Sequence, residues 1–574
     1  MSSSPQALST RATPSPLRRL WFRSLDHYPE TAPRIVYLAI VVLSTIVLYY
    51  QLYVPGSVAP SILQQYGMTF RFYVYGVGVV AAAVGAFAAL LAGFADRWGR
   101  ANMVTYGLLL VALLTLFGVP NAPDKVVFII LISLVGAVEG VVLVATPALV
   151  RDFSPQLGRA TAMGFWTLGP VVGSLVVAQV SSHTLSHLMA WQDQFTIAGV
   201  AGLVVFLIAL FGLRELSPAF RDQVMISIRD KTMLESRALG IDVEETMQHP
   251  WRQMLRLDII GPAFGSSIFL LVYYAMVGFL VIYFATLFHY SEQHANSLAN
   301  WFWGFNAIAL VVVGVVSDRL RVRKPFMVLG ALGAIVMTII FSARATRPDT
   351  SFDSFIVIMS LLAISLGLAY APWFASFTET IEKRNPALTA TGLAVGGWVT
   401  RIVVTLSALF LPIVVTAVTP LVNYGTQVGV LAVTYAPELQ TISTVDAATL
   451  KALGANPANA VAGAKAVGEL TSALHITTSE AIGRLVALGK AVKEPGFIYL
   501  QAHGTAVSDA AKSAPSQWQH WWWICIAGQI IFLPTIFLLI GRWSPFAAKR
   551  DAEEHDRKLQ DEISRLTPDA PVPV

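Results

Sequence analysis

Long apolar runs separated by short polar stretches dominate the chain. The runs hold roughly 20 to 28 residues, and about 20 residues of helix cross a hydrocarbon core about 30 Å thick. Lipid cannot hydrogen-bond to open backbone groups, so helices are the expected form. We predict an all-α membrane protein with about twelve spans, at residues 35–56, 72–95, 101–120, 126–149, 161–182, 194–213, 259–287, 297–316, 325–343, 354–378, 388–418 and 520–541.

The twelve predicted spans fall into two halves of six helices. We expect an N-terminal tail (1–34), an N-terminal half (35–213), a charged linker (214–257), a C-terminal half (258–541) and a C-terminal tail (542–574). An insert at 422–517 separates the last two spans. Its segments Ala460–Leu474 and Ser479–Val492 resemble helices, which suggests a small helical cap over the outer mouth.

Lys and Arg collect in the short loops on one side of the predicted bundle, and such loops usually face the cytoplasm. The first tail holds Arg18, Arg19 and Arg23, and further cations follow spans two, four, eight and ten. We therefore expect a multi-pass plasma-membrane protein of bacterial type, with both termini in the cytoplasm and the insert outside.

The composition excludes several classes of protein. Only 13% of the 574 residues are charged, about half the fraction of a soluble domain. The net charge of +5 comes with no separate Lys/Arg-rich domain, so we expect no nucleic-acid partner. The single Cys525 allows no internal disulfide and no cysteine metal cluster. Histidines scatter without metal-ligand spacing, no phosphate loop is present, and we expect neither an enzyme nor a cofactor.

Two similar polar segments sit between apolar runs, half a chain apart. The first is Gly93-Phe94-Ala95-Asp96-Arg97-Trp98-Gly99-Arg100, and the second is Gly314-Val315-Val316-Ser317-Asp318-Arg319. Their first glycines are 221 residues apart, while Pro147 and Pro372 are 225 apart. The common offset indicates a duplicated half. This pattern resembles the major facilitator superfamily over nearly the whole chain except the insert, which implies alternating access by rocking of two six-helix halves.

The resemblance implies a latch at the cytoplasmic helix ends. Pro147 to Ala160 is similar to the pattern P-x4-E-x2-P-x3-R-G of sugar-porter-like members, with Asp152 in place of the glutamate. In the second half the equivalent acid is Glu382, although Thr389 stands where the family has an arginine. The alternative is that these charges only cap helices and fix orientation. The implied latch residues are Gly93, Asp96, Arg97, Gly99, Arg100, Asp152, Arg159, Gly314, Asp318, Arg319 and Glu382.

A further motif lies in span five, where Gly169-Pro170-Val171-Val172-Gly173 partly resembles the helix-five motif of proton-coupled exporters. Small residues also permit close helix packing without any bearing on transport direction. Both interpretations stay open from the sequence.

Two charges lie deep in predicted spans, Glu139 in span four and Arg401 in span eleven. A charge at this depth costs at least about 2.5–3.5 kcal/mol, so it usually faces a cavity or a partner. For Glu139 we favour proton coupling over a permanently paired structural acid. Arg401 is a candidate contact for an anionic substrate, with a structural pair as the alternative.

Aromatic and amide side chains interrupt the spans that line the cavity in this superfamily. They suit a small polar solute, although packing explains many of them equally well. The candidate substrate-binding residues are Tyr49, Tyr50, Gln51, Tyr273, Tyr274, Asn306 and Trp373, together with Arg401. Span one has no acid of the kind found in many drug exporters, which weakens a multidrug interpretation.

We therefore predict a monomeric secondary transporter in the lipid bilayer that moves a small organic solute, an organic acid or a sugar-like molecule, coupled to protons. A proton-antiport exporter of drugs or metabolites is the alternative. A non-transporting sensor or scaffold on a carrier fold, with the insert as its partner-binding module, is the second alternative.

Overall fold

The structure is a computed structural model of the chain, and it describes residues 21, 23–90, 98–154, 164–187, 190–217, 220, 250–385, 388–540, 543–547, 549–550, 553–554 and 557. Among these residues, eleven helices are long and apolar enough to cross a membrane. The predicted fifth span appears as Gly169–Thr184, a helix of 16 residues. With it, the described helices match the twelve predicted spans in order.

The first six spans form the N-terminal half, here named spans 1 to 6. Their bounds are Thr31–Ser57; Phe70–Tyr73 with Ala81–Leu90; Arg100–Leu113; Lys125–Phe153; Gly169–Thr184; and Trp191–Gly212. A π-helical segment, Val74–Val80, joins the two parts of span 2. Another, Leu114–Gly118, extends span 3 into the 3-10 turn Val119–Asn121. A short helix, Ala59–Tyr66, follows span 1.

The last six spans form the C-terminal half, named spans 7 to 12. Their bounds are Leu257–Phe269 with Leu271–Phe288; Glu292–Leu320; Lys324–Arg344; Phe352–Arg384; Thr389–Val414; and Pro495–Thr535, which ends in the 3-10 turn Ile536–Leu538. The short helix Pro250–Met254 precedes span 7.

Polar side chains fix where several helices begin. Asp124 accepts hydrogen bonds from the N–H groups of Val126 and Val127 at the start of span 4. Ser291 and Ser351 cap spans 8 and 10 in the same manner. Each cap satisfies backbone donors that the helix itself leaves open, and such caps typically contribute about 1 kcal/mol.

The packing of the two halves repeats helix by helix. In the N-terminal half, span 4 packs on spans 2 and 3, and span 1 packs on spans 5 and 6. In the C-terminal half, span 10 packs on spans 8 and 9, and span 7 packs on spans 11 and 12. Between halves, span 5 contacts span 8 and span 2 contacts span 11. Because spans 2 and 5 correspond to spans 8 and 11, these two contacts are equivalent in the duplicated fold. This repetition agrees with the duplication inferred from sequence landmarks.

Glycines bring the backbones of spans 2 and 4 into direct contact. A Cβ on Gly140 would lie 2.2 Å from the carbonyl oxygen of Gly85, and one on Gly85 would lie 2.7 Å from the oxygen of Gly136. In the other half, a Cβ on Gly367 would lie 2.7 Å from Cβ of Ala309. Gly140 and Gly367 are 227 residues apart, so the close approach itself is duplicated.

The region of the insert is helical and begins just after span 11. Its helices are Val418–Thr434, Ala436–Thr444, Ala447–Ala455, Ala460–Leu474 and Thr478–Ala491. The middle helices share a small core of their own, formed by Val445, Ala466, Leu470 and Ala481. We call the end of the bundle that carries this region the insert end.

The last span differs from the sequence-based expectation, because it is continuous with the end of the insert. Its helix has 41 residues from Pro495 to Thr535, about 60 Å at 1.5 Å per residue. Residues 496–514 contain no proline and many alanines, and the helix continues through Pro515 into the span. About 30 Å of this helix crosses the hydrocarbon core, and about the same length extends beyond it. This extension packs against Val418–Thr434.

Part of the first tail is built into the N-terminal half. Ser24–Leu25 pairs in parallel with Glu215–Leu216 from the segment after span 6. Arg23 is 2% exposed and donates to the Thr105 hydroxyl and the Ala209 carbonyl at 2.8 and 3.0 Å. Burial lowers the pKa of the Arg23 guanidinium. Arg23, which the sequence analysis used as an orientation signal, therefore also forms structural hydrogen bonds within the N-terminal half.

Gly140→Ala tests the backbone contact between spans 2 and 4. The added methyl meets a carbonyl rather than a flexible side chain, so the helices must separate, and overpacking of this kind costs about 1–3 kcal/mol. We expect a lower melting temperature of the purified protein. Gly304→Ala is the matched control, because nothing lies within 4 Å of its added Cβ. Equal melting temperatures for the two variants would contradict the assigned contact.

Candidate functional site

Glu139 lies in the middle of span 4 and is 1% exposed. Neither of its carboxylate oxygens has a hydrogen-bond partner among the described residues. Its neighbour Gly140 makes the backbone contact with span 2, so the close helix approach encloses the acid. An ionised carboxylate without a partner is far more costly in such surroundings than the protonated acid.

Tyrosines from three spans gather beside Glu139. Tyr49 and Tyr53 come from span 1, and their ring centroids are 5.5 Å apart. Tyr273 and Tyr274 of span 7 meet edge to face at 5.6 Å, and Tyr370 comes from span 10. The five phenol groups interact electrostatically with one another, and both Tyr49 and Tyr53 interact with Glu139. We call these five residues the tyrosine cluster.

Arg401 of span 11 approaches the same cluster from the C-terminal half. It is exposed, it interacts electrostatically with Tyr49, and it has no ion-pair partner among the described residues. Tyr49 also interacts electrostatically with Glu139. The acid of one half and the cation of the other thus share one central region.

Other candidate residues are used for packing within a half. Gln51 is 2% exposed and donates to the Ala198 carbonyl of span 6 at 3.2 Å. Asn306 is 3% exposed and donates to the Ala363 carbonyl of span 10 at 2.9 Å. Tyr50 is buried, and the structure places its ring apart from the cluster formed by Tyr49.

Trp373 is also buried, and it lies within a stack of rings on span 10. Its ring stacks on Tyr370 at 5.6 Å and on Phe377 at 5.1 Å. Trp373 therefore supports Tyr370 from behind. The span-five motif acts in the same way towards Tyr49: a Cβ on Gly173 would lie 2.6 Å from Cβ of Tyr49, and Pro170 stands at the first turn of its helix.

The bundle end opposite to the insert carries ion pairs, and we call it the charged end. Arg100 donates to both carboxylate oxygens of Asp152 at 2.9 Å, and Asp152 is 6% exposed. The N–H of Arg100 donates to Glu215 at 2.7 Å. Gly99 has φ +93°, and a Cβ there would lie 2.2 Å from a Glu215 carboxylate oxygen. Only glycine fits this position without strain.

Four predicted latch residues, Gly93, Asp96, Arg97 and Arg159, lie outside the described residues. In the described part of the chain, Arg100 contacts the predicted latch acid Asp152.

The second half carries a related set at the charged end. Arg323 donates to Asp318 at 2.6 Å and to Glu379 at 2.9 Å. Glu382 and Arg319 are exposed on their helices. Nothing lies within 4 Å of a Cβ placed on Gly314, so this glycine is not a site of close helix approach.

Sequence analysis missed Glu379 and Glu215 as partners of these cations. Glu379 is seven residues after Pro372, whereas Asp152 is five after Pro147. A search for an acid five residues after the proline therefore does not find Glu379. Glu215 lies in the segment taken as a linker, and only the strand pairing with Ser24–Leu25 brings it to Arg100.

A polar ladder joins the two halves at the insert end. Glu292, Asn296 and Asn300 repeat every four residues on one face of span 8. Glu292 accepts from the N–H of Ser61 at 2.8 Å, and Asn296 and Asn300 each donate at 2.9 Å, to the Ser57 carbonyl and the Ser182 hydroxyl. These three residues are named the span-8 ladder. A small cavity of about 20 Å³ lies below it, lined by Tyr53, Ser174 and Trp303 among others.

Comparison with solved structures supports the fold. A bacterial homolog of the human lysosomal transporter Spinster, inward-facing and unoccupied, has TM-score 0.60 at 15% identity and covers 90% of this chain and 100% of that chain. Its occupied form has TM-score 0.54 at 14% identity, covering 91% and 98%. The proton:xylose symporter XylE bound to 6-bromo-6-deoxy-D-glucose has TM-score 0.50 at 14% identity, covering 67% and 89%. At these identities the likeness shows the fold alone.

Sequence comparison gives the family. No curated protein matches the chain. The family model of the Major Facilitator Superfamily matches residues 41–404, which is more than half of the chain. The predicted fold class, about twelve membrane helices in two six-helix halves, is confirmed. The chain is a multi-pass membrane protein that belongs to the Major Facilitator Superfamily of transporters.

Proposed function

We propose that this transporter couples movement of a small organic solute to protons by alternating access. The observation that carries the proposal is Glu139, an acid enclosed at the middle of span 4 without a hydrogen-bond partner in the described part of the chain. Its electrostatic interaction with Tyr49 and Tyr53 of the tyrosine cluster connects proton binding with the central region.

The coupling follows from the cost of burying charge. In the observed state, Glu139 as an anion has nothing to compensate its lost hydration, which favours its protonated form. A conformation that opens the central region to water on one side lowers this cost and releases the proton there. Proton binding and release then alternate with the conformation, as a secondary transporter requires.

The span-8 ladder and the cavity below it support a state closed at the insert end. The hydrogen bonds of Glu292, Asn296 and Asn300 tie span 8 to spans 1 and 5 of the other half. Alternating access requires these bonds to break when this end opens. The ladder thus serves as the gate on this side.

The remaining assignments concern orientation and solute. The charged end, with Arg100, Arg323 and Arg384, faces the cytoplasm of a plasma membrane by the rule for Lys and Arg, and the insert lies outside. We expect a monomer. Arg401 favours an organic acid over a sugar-like solute, and both proton symport and proton antiport follow from the same arrangement.

Glu139→Gln tests the coupling. Glutamine keeps the shape of the protonated acid but cannot release a proton. In proteoliposomes with an imposed pH gradient, we expect gradient-driven solute accumulation to be lost while solute exchange continues. Glu438→Gln, an acid-to-amide change on an exposed insert helix, is the control and should accumulate solute as the wild type does. Unchanged accumulation by Glu139→Gln would reject the assignment, and the absence of solute-dependent proton movement in the wild type would favour a sensor.

Substitution of the ladder tests the gate. The double substitution Glu292→Ala and Asn296→Ala removes the hydrogen bonds to Ser61 and Ser57, each worth about 0.5–3 kcal/mol. We therefore expect the population of molecules open at the insert end to rise about threefold or more. The measurement is the rate at which a membrane-impermeant thiol reagent modifies Ser174→Cys in a Cys525→Ser background. Ser174 is 3% exposed and lines the cavity below the ladder.

Two results would count against the gate. One is a labelling rate that the ladder substitutions leave unchanged. The other is an equal increase on substitution of Gln293→Ala, a neighbour of Glu292 on span 8 with no assigned bond across the halves.

A further inference from the structure

Within the described residues, the central region brings together aromatic side chains and the cation Arg401. The tyrosine cluster supplies five rings from spans 1, 7 and 10, and Trp303 meets Tyr273 edge to face at 5.1 Å. Such rings bind a flat apolar body by stacked or edge-to-face contact. A ligand that fills this region therefore gains more from a planar ring than from a saturated one of similar size.

Arg401 supplies the charged contact. It is exposed, it lies near Tyr49, and it forms no ion pair within the described residues. A guanidinium deep in a membrane domain without a partner acid is matched by a ligand anion, and its planar fork suits a carboxylate.

The amides needed for a polyol are engaged elsewhere. Gln51 and Asn306 donate to backbone carbonyls of their own halves, and Gln529 donates to the Thr338 hydroxyl. All three are 3% exposed or less. A sugar presents many hydroxyl groups that require paired donors and acceptors, whereas these buried amides already use donors in packing bonds within the protein.

Glu139 does not favour a cationic ligand either. It is 1% exposed, whereas Arg401 is exposed, so the central region presents Arg401 rather than the acid. We propose that the central site, formed by the tyrosine cluster and Arg401, takes a flat aromatic monocarboxylate. This inference rests on the transport function proposed above and names its substrate class.

The test uses the purified full-length protein in detergent, with binding measured by calorimetry and by ligand-induced thermal stabilisation. The probes are benzoate, benzamide, cyclohexanecarboxylate and D-xylose. We expect benzoate to bind about tenfold or more tightly than benzamide, because only benzoate pairs with Arg401. We expect it to bind about threefold to tenfold more tightly than cyclohexanecarboxylate, because only benzoate has a planar ring. D-xylose should not bind measurably.

Variants assign each contact. Arg401→Gln should remove the preference for benzoate over benzamide while benzamide binding persists, and Arg401→Lys should keep part of the preference. Tyr273→Leu should remove the preference for benzoate over cyclohexanecarboxylate, and Tyr273→Phe should retain it. Tyr499→Leu, a change on the extension of span 12 beside His503, is the control and should bind as the wild type does.

The proposal is overturned if folded wild-type protein binds D-xylose in preference to benzoate or does not bind benzoate. It is also overturned if Arg401→Gln and Arg401→Lys both keep the full preference for benzoate over benzamide. Failure of the transport proposal is distinguishable: benzoate then binds with these preferences, but proteoliposomes show no solute-dependent proton flux.

Discussion

The contact between the backbones of spans 2 and 4 is the constraint on which the central region depends. Gly85, Gly136 and Gly140 remove the side chains that would hold the helices apart, and the resulting approach encloses Glu139. With larger residues the acid would face a gap that water can enter, and its burial would cost little. The free-energy cost of ionising Glu139 thus depends on the helix packing around it and not on the acid alone.

The ion pairs of the charged end follow a simpler rule. Arg100 with Asp152, and Arg323 with Glu379, lie at one end of the bundle and are paired. Such pairs at helix ends are consistent with a latch, and their partial burial makes removal of one partner costly. Glu139 and Arg401 follow neither part of this rule, since both are deep in their spans and neither forms an ion pair within the described residues.

The sequence alone was sufficient for the number and order of the spans, because each needs a long apolar run and the runs are separated by polar segments. It was also sufficient to identify Glu139 and Arg401, since charges inside such runs are conspicuous. It could not separate Tyr49 from Tyr50, because adjacent residues on a helix differ by 100° in direction and the pattern does not say which faces the centre. It could not place the boundary of span 12, because the helix runs through Pro515, a residue that usually ends a helix, into the Ala-rich extension.

The duplication makes the exceptions informative. Gly140 and Gly367 occupy equivalent close contacts, so the residue equivalent to Glu139 is Leu366, which is buried in the C-terminal half. The acid therefore occurs in one half only, and Arg401 belongs to the other. When two halves rock against each other, a charge carried by each half changes its distance and its access to water relative to the other. Departure from the repeat at these two positions gives the proposed cycle a means of linking a proton on one half to an anion held by the other, and Tyr49 interacts electrostatically with both Glu139 and Arg401.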